Sequence, residues 1–375
     1  MSRLRTLTTL LTAAALWSCS GDGTNTTRMN PFFEPYATPF EVPPFDSIEI
    51  EHFKPAMEAG IKEQQAEIDA IVEQTEAPTF ENTIEALENS GALLSRVQTV
   101  FGNLNSAHTN AELQAIAKEM SPALSAHGDN IRLNEKLFAR IRAVYEQRES
   151  LNLNEEQRML LEKTYKSFVR SGANLQEAEK EKLREINSKL ALLSLEFGQN
   201  LLAETNDFQL WITDEADLAG LPSSLRASAK ADAEAAGEPE KWLFTLQNPS
   251  VMPFLQYAEN RALREKIWDA YQTRSSRGND KDNTQALIDI ANLRLERAQL
   301  LGYETHAAFS LEETMAKNAG NVYTLLNQLW TPALAKAKAE RDEMQALHAE
   351  LGEEGPLQHG TGDSMKKNSV RRNLT

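Results

Sequence analysis

The chain has 375 residues and carries 39 Lys and Arg against 55 Asp and Glu, a formal charge of −16. Its 41% hydrophobic and 25% charged residues are a globular balance that excludes bulk disorder, and at about 150 residues per domain the length fits two or three domains or one large helical body. A single cysteine excludes an internal disulfide framework or a cysteine-rich zinc module, and the acidic balance argues against a general nucleic-acid binder.

Only the first 20 residues contain a long apolar run, which rules out a multi-span membrane protein. Residues 1–18 read as an export signal: Arg3 and Arg5 form a basic start, and Leu7 to Leu16 form an apolar stretch too short to span a bilayer stably. The lone cysteine, Cys19, stands where a bacterial lipoprotein signal places its lipidated residue, with Leu16 and Ser18 ahead of it in lipobox fashion. Trp17 departs from the usual small or aliphatic choice. Lipidation of Cys19 is the expectation, beside an ordinary cleaved signal with a chance cysteine. Ser20 in place of Asp gives no inner-membrane retention signal, so the expected location is the periplasm, on a lipid anchor in the outer membrane. Residues 19–30 are small and polar and read as a flexible tether. Met29 offers an alternative internal start, which would give a cytoplasmic protein.

Residues 31–47 hold five prolines and five aromatics, and predict an extended segment lying across the surface of the body. From Ile48 the spacing turns helical through Phe53, Met57, Ile61, Ile68 and Ile71. Pro78 to Thr83 interrupts it, and helices are expected over 81–90, 92–107, 110–126, 132–148 and 154–170. The clearest element is 177–204, where Leu183, Ile186, Leu190, Leu193, Phe197 and Leu201 form one apolar stripe. Core packing is the preferred reading of that stripe over a coiled-coil seam, because the heptad pattern is short. The period then switches to two in Phe208, Leu210 and Ile212, and again over 242–246. A small β insertion near 208–246 with a short helix at 222–236 follows. Further helices are expected over 249–258, 260–274, 283–302 and 320–351. No fixed repeat of the solenoid kind is evident.

Chemistry is sparse. The six histidines are His52, His108, His127, His306, His348 and His359, and no two are four apart, as a His-Glu-x-x-His zinc helix requires. His348-Ala-Glu350 is the nearest approach and lacks the second histidine. Each histidine reads as a surface or helix-packing residue, with a metal site assembled from distant helices as the alternative. There is no Gly-x-Ser-x-Gly elbow and no phosphate-binding glycine loop. The pairs Glu312–Glu313 and Glu353–Glu354 read as solvated faces.

The text is more specific than its periodicity. The run from Pro78 to Glu88, PTFENTIEALE, resembles the signature N-terminal segment of the thimet-oligopeptidase family of zinc metallopeptidases, and the chain is most similar to its bacterial peptidyl-dipeptidase and oligopeptidase A members. Glu51 to Ala56, Asn105 to Asn110, Phe168 to Ala173, Phe197 to Asn200, Asn260 to Glu265 and Leu301 to Ala307 agree in order, so the resemblance covers about 30–356. It implies a mainly α fold: 31–356 as the multi-helix N-terminal lobe of a two-lobed, channel-containing peptidase. It implies zinc in the full-length enzyme, held by a C-terminal half, and short unstructured peptides as substrates, with dipeptides released from the C-terminus. No position matches the metal motif, so no catalytic or metal residue is carried over, no zinc is expected on this chain, and the chain alone is expected to be inactive. The other readings are a lipid-anchored helical module that binds peptides without cutting them, or a structural envelope protein. In each the membrane is reached only through the lipid anchor, and no nucleic acid is bound.

Residues 357–375 are polar and basic, unlike the acidic helix before them. They read either as a disordered tail or as a frameshifted one. Codons for Gly360-Thr-Gly-Asp can be chosen so that a one-base shift gives Trp-Asp-Trp-Arg, which the family would be expected to show next. A lobe without its other half would expose an apolar wall, so self-association through that face is expected.

Overall fold

A computed structural model describes residues 30–361 and Ser364. The signal over 1–18, Cys19, the tether up to Met29 and most of the 357–375 tail lie outside the described residues.

The described chain is mainly α. In order it forms α1 (Phe53–Val72), α2 (Ala86–Glu88), α3 (Ala92–Ala107), α4 (Ala111–Arg132), α5 (Glu135–Glu146), α6 (Glu155–Arg170) and α7 (Glu177–Asp207). After these come β1 (Leu210–Ile212), α8 (Ser223–Ala235), β2 (Trp242–Phe244), α9 (Asn248–Tyr257), α10 (Arg261–Gln272), α11 (Thr284–Leu300), α12 (His306–Leu311) and α13 (Ala319–Glu350). Asparagine sets many of the starts. Asn110, Asn134, Asn154, Asn260 and Asn318 each accept the third helical N–H with their side chain, satisfying one of the donors a helix leaves open.

Several boundaries differ from the sequence expectation, each for a local reason. The helix expected to end at 126 runs to Arg132, carrying Pro122 inside it and burying His127 and Asp129. The next helix accordingly begins at Glu135, where Asn134 caps it, and not at 132. The interruption ends at Thr79, which caps a π-helical turn, Phe80–Glu85, with Phe80 and Ile84 buried. The 31–47 segment is not simply extended: it makes 3₁₀ turns at Pro31–Phe33 and Pro39–Glu41. Of its aromatics only Phe32 is buried, whereas Phe40 stands free in solvent. The short α12 went unpredicted.

The body is built on four apolar clusters. Phe32 joins α1, α3 and α4, through Phe53, Met57, Val97 and Leu113. The end of α1 packs with the π-helical turn, α5 and α6 around Ile141 and Leu161. The strands pair antiparallel, Trp211 opposite Leu243, and cover α9 and α10 through Phe244, Phe254 and Ile267. Leu183, Ile186 and Leu190 of α7 are buried against neighbouring helices, with Ile290 of α11 in the same cluster as the last two, so the long stripe is core and not a coiled-coil seam.

The described start of the C-terminal segment, 357–361, is docked on α10. The buried Arg264 donates from Nε to the Gly360 carbonyl at 2.8 Å. The His359 and Trp268 rings lie 4.1 Å apart. Gly360 has φ 74°, and a Cβ there would meet the Glu265 backbone at 2.7 Å, so glycine alone fits.

The first half of α13 contrasts with all of this. Residues 319–335 contain no charge, yet Tyr323, Leu325, Leu326, Leu329 and Trp330 are exposed, the tryptophan to 63%. Large apolar side chains gathered this densely on one helix are normally covered.

Candidate functional site

A cavity of about 440 Å³ lies between α4, α6, α7 and α11. Leu124 and Arg132 also line a second cavity of about 550 Å³ on the other side of α4 residues 124–132. The geometry is set by α7, which packs on both α4 and α11 and brings Asn187 into the gap.

The floor is a polar relay. Asn187 donates from Nδ2 to the buried Asp129 at 2.9 Å and accepts at Oδ1 from Arg297 Nη1 at 3.4 Å. Burial pushes the Asp129 carboxyl above the ordinary carboxylate range, while the Asn187 hydrogen bond and the charges of Arg184, Arg132 and Arg297 pull it back. Burial, then the neighbouring Arg294, lowers the Arg297 guanidinium from its usual value. Arg297 Nε is buried and has no hydrogen-bond partner among the described residues.

The rim is held by Arg170. It donates to Tyr303 Oη at 3.0 Å and to the Phe309 carbonyl at 2.7 Å, and pairs with Glu312. Its guanidinium lies 4.5 Å from the Phe309 ring centroid. Tyr303 in turn donates to Glu312 at 2.6 Å, and Lys163 pairs with Glu313 at 2.7 Å. Glu312 and Glu313, both exposed as their reading as a solvated face expects, also tie the end of α12 to α6.

The histidines do not converge. His52 accepts the Glu49 N–H at 2.9 Å, His108 ends α3, and His359 lies on Trp268. His127 is buried against Gln64, 2.8 Å from its Oε1, and His348 is buried near the end of α13. His306 sits beside the arginines, with Nδ1 buried and unpaired among the described residues. Among the described residues no three His, Cys, Asp or Glu side chains are placed to hold a metal, so the donors described do not form a zinc site.

Two of these histidines make stability pH-dependent. Burial lowers the pKa of His127, and burial with the charges of Arg294 and Arg297 lowers that of His306. The fold holds both neutral, whereas the unfolded chain takes up protons below about pH 6.5. Stability is thus complete above that value and falls as the pH drops through it. His127→Gln should flatten part of the fall in denaturation midpoint between about pH 7 and pH 5, and an unchanged slope would contradict this.

The sequence reading missed Asp129 and the cavity arginines. The available signal was the pair Arg294 and Arg297, three apart on one helix face, together with Arg170 inside the family-like stretch from Phe168 to Ala173.

The fold is a helical body with a polar cleft between its long helices. Residues 254–359 match the model of peptidase family M3. The chain is 38% identical to dipeptidyl carboxypeptidase of Escherichia coli over 322 residues, 86% of this chain and 47% of that protein. It is 33% identical to oligopeptidase A of Escherichia coli, covering 85% of this chain and 47% of that one. It is 32% identical to the organellar oligopeptidase A of Arabidopsis thaliana, covering 85% and 41%. The chain is thus similar, over most of its length, to members of peptidase family M3. It spans about half the length of the curated relatives it matches.

Proposed function

We propose that this chain is the N-terminal helical body of a zinc peptidase that cleaves short, unstructured peptides, releasing dipeptides from their C-termini. The observation that carries this is the 38% identity to dipeptidyl carboxypeptidase across 86% of the chain. The residues that bind zinc and activate water would belong to sequence outside these 375 residues, which contain no His-Glu-x-x-His. What the present residues offer is a wall: long packed helices, a cleft wide enough for a peptide end, and arginines that favour an acidic ligand over a basic one.

The direct test is an assay of dipeptide release from an N-blocked tripeptide. The zinc-supplemented chain alone should release none. The same chain joined to the C-terminal half of a family relative should release dipeptide in a chelator-sensitive way. Release by the chain alone would overturn the proposal.

Export and anchoring belong to the same proposal, on the strength of the basic start, the short apolar stretch and Cys19. Among the described residues no helix is long and apolar enough to cross a membrane. Labelled palmitate should enter the wild-type protein in a bacterial host and not Cys19→Ser; equal labelling of both would contradict it.

A further inference from the structure

We propose that the cavity between α4, α7 and α11 is a carboxylate-binding site that holds the C-terminal carboxylate of a short peptide. Its chemistry is independent of catalysis, while the choice of a peptide as the bearer rests on the peptidase reading.

The charge pattern is the first argument. In a chain of net charge −16, this one cavity is lined by Arg132, Arg170, Arg294 and Arg297. Their only carboxylate partners at the site are Asp129 and Glu312. Glu312 is taken by Arg170 and Tyr303. Asp129 is buried and already bonded to Asn187. The side chains of Arg132 and Arg294 have no hydrogen bond or ion pair among the described residues. The nearby acids are engaged elsewhere: Glu296 pairs with Lys182 at 2.8 Å, and Glu181 with Arg184 at 3.3 Å.

The second argument is the unmet donor. Arg297 Nε is shielded from water and unpaired, and a buried guanidinium donor without an acceptor is costly. Arg294 beside it adds repulsion. With the Arg297 side chain turned toward the cavity, an incoming carboxylate would satisfy Nε and neutralise both arginines, and guanidinium forks match carboxylates in a bidentate way. The third argument is the apolar part of the wall. Leu124, Leu190 and Leu301 line the same cavity, so an anion with a hydrophobic side chain fits better than a bare one. A volume of about 440 Å³ is in the range of small-ligand pockets.

The test is calorimetric titration of the full chain with N-acetyl-Gly-Leu, with its C-terminal amide, and with acetate. The acid should bind at least about tenfold more tightly than the amide, since hydrogen bonds to charged groups are worth about 1.5–3 kcal/mol. Acetate should bind at least about tenfold more weakly than the peptide acid, for want of apolar contact. Arg294→Gln, at an exposed position, should weaken the acid by about tenfold with an unchanged melting temperature. Arg297→Lys should lose the same preference while keeping the charge. No binding of the acid, equal binding of acid and amide, equal binding of acetate, or an Arg294→Gln variant that binds as wild type would each overturn the proposal. An assembled enzyme that cleaves no peptide, with acid-over-amide binding intact, would sink the peptidase reading and leave the carboxylate site standing.

Discussion

Glutamate at both Leu326 and Trp330 is expected to keep the chain monomeric at concentrations where the wild type associates. The two positions are four apart on α13 and share a face with Tyr323. All three are exposed, and no charged residue lies within 319–335 to keep the helix soluble. Contiguous exposed apolar surface of this kind favours association, and we propose that copies of the chain meet through it. Placing an unpaired charge in such a contact costs about 3–5 kcal/mol, so the double variant should associate at least about a hundredfold more weakly. Light scattering on eluted protein over a range of concentrations reads this directly. The wild-type mass should rise with concentration and that of the variant should stay at one chain. A wild-type mass of one chain at every concentration would contradict it.

Phe32→Ala should cost about 3–5 kcal/mol, as for other fully buried aromatic truncations. Phe32 is wholly buried, its ring 5.3 Å from that of Phe53, which in turn meets Phe101 edge-on at 5.3 Å. The turn that delivers it is fixed twice. The Asn30 side chain accepts the Phe32 N–H at 3.1 Å, and Arg96 donates to the carbonyls of Phe32 and Glu34 at 3.0 Å each. Phe33→Ala, next to it and exposed, should change stability by no more than about 0.5 kcal/mol. Denaturant midpoints for the two variants separate the cases. A loss below about 1 kcal/mol for Phe32→Ala would show that the segment before α1 is not part of the core.

How much of this was legible in the sequence depended on what each feature rests on. The stripe of α7 and the alternation in β1 are periodic, and periodicity survives translation into structure. The boundary errors arose where tertiary contacts outvoted local signals. Gly128 and Asn130 suggest a helix end, but burial of Asp129 against Asn187 carries α4 on to Arg132. Docking of residues 357–361 on α10 depends on Arg264, nearly a hundred residues earlier, and has no local signature. The cavity was invisible for the same reason. Its arginines come from α4, α6 and α11, each ordinary on its own helix and unusual only when α7 brings them together.

The account stands or falls on whether the metal-binding half of a family M3 peptidase belongs with this lobe. Sequencing the source locus from codon 350 onward, through a further stretch as long as the one encoding this chain, tests that claim most directly. The expected result, which rests on the proposed peptidase reading, is a His-Glu-x-x-His codon run in that stretch. A locus with no such run in any frame would contradict it, and would leave carboxylate binding by the helical lobe as the activity to pursue.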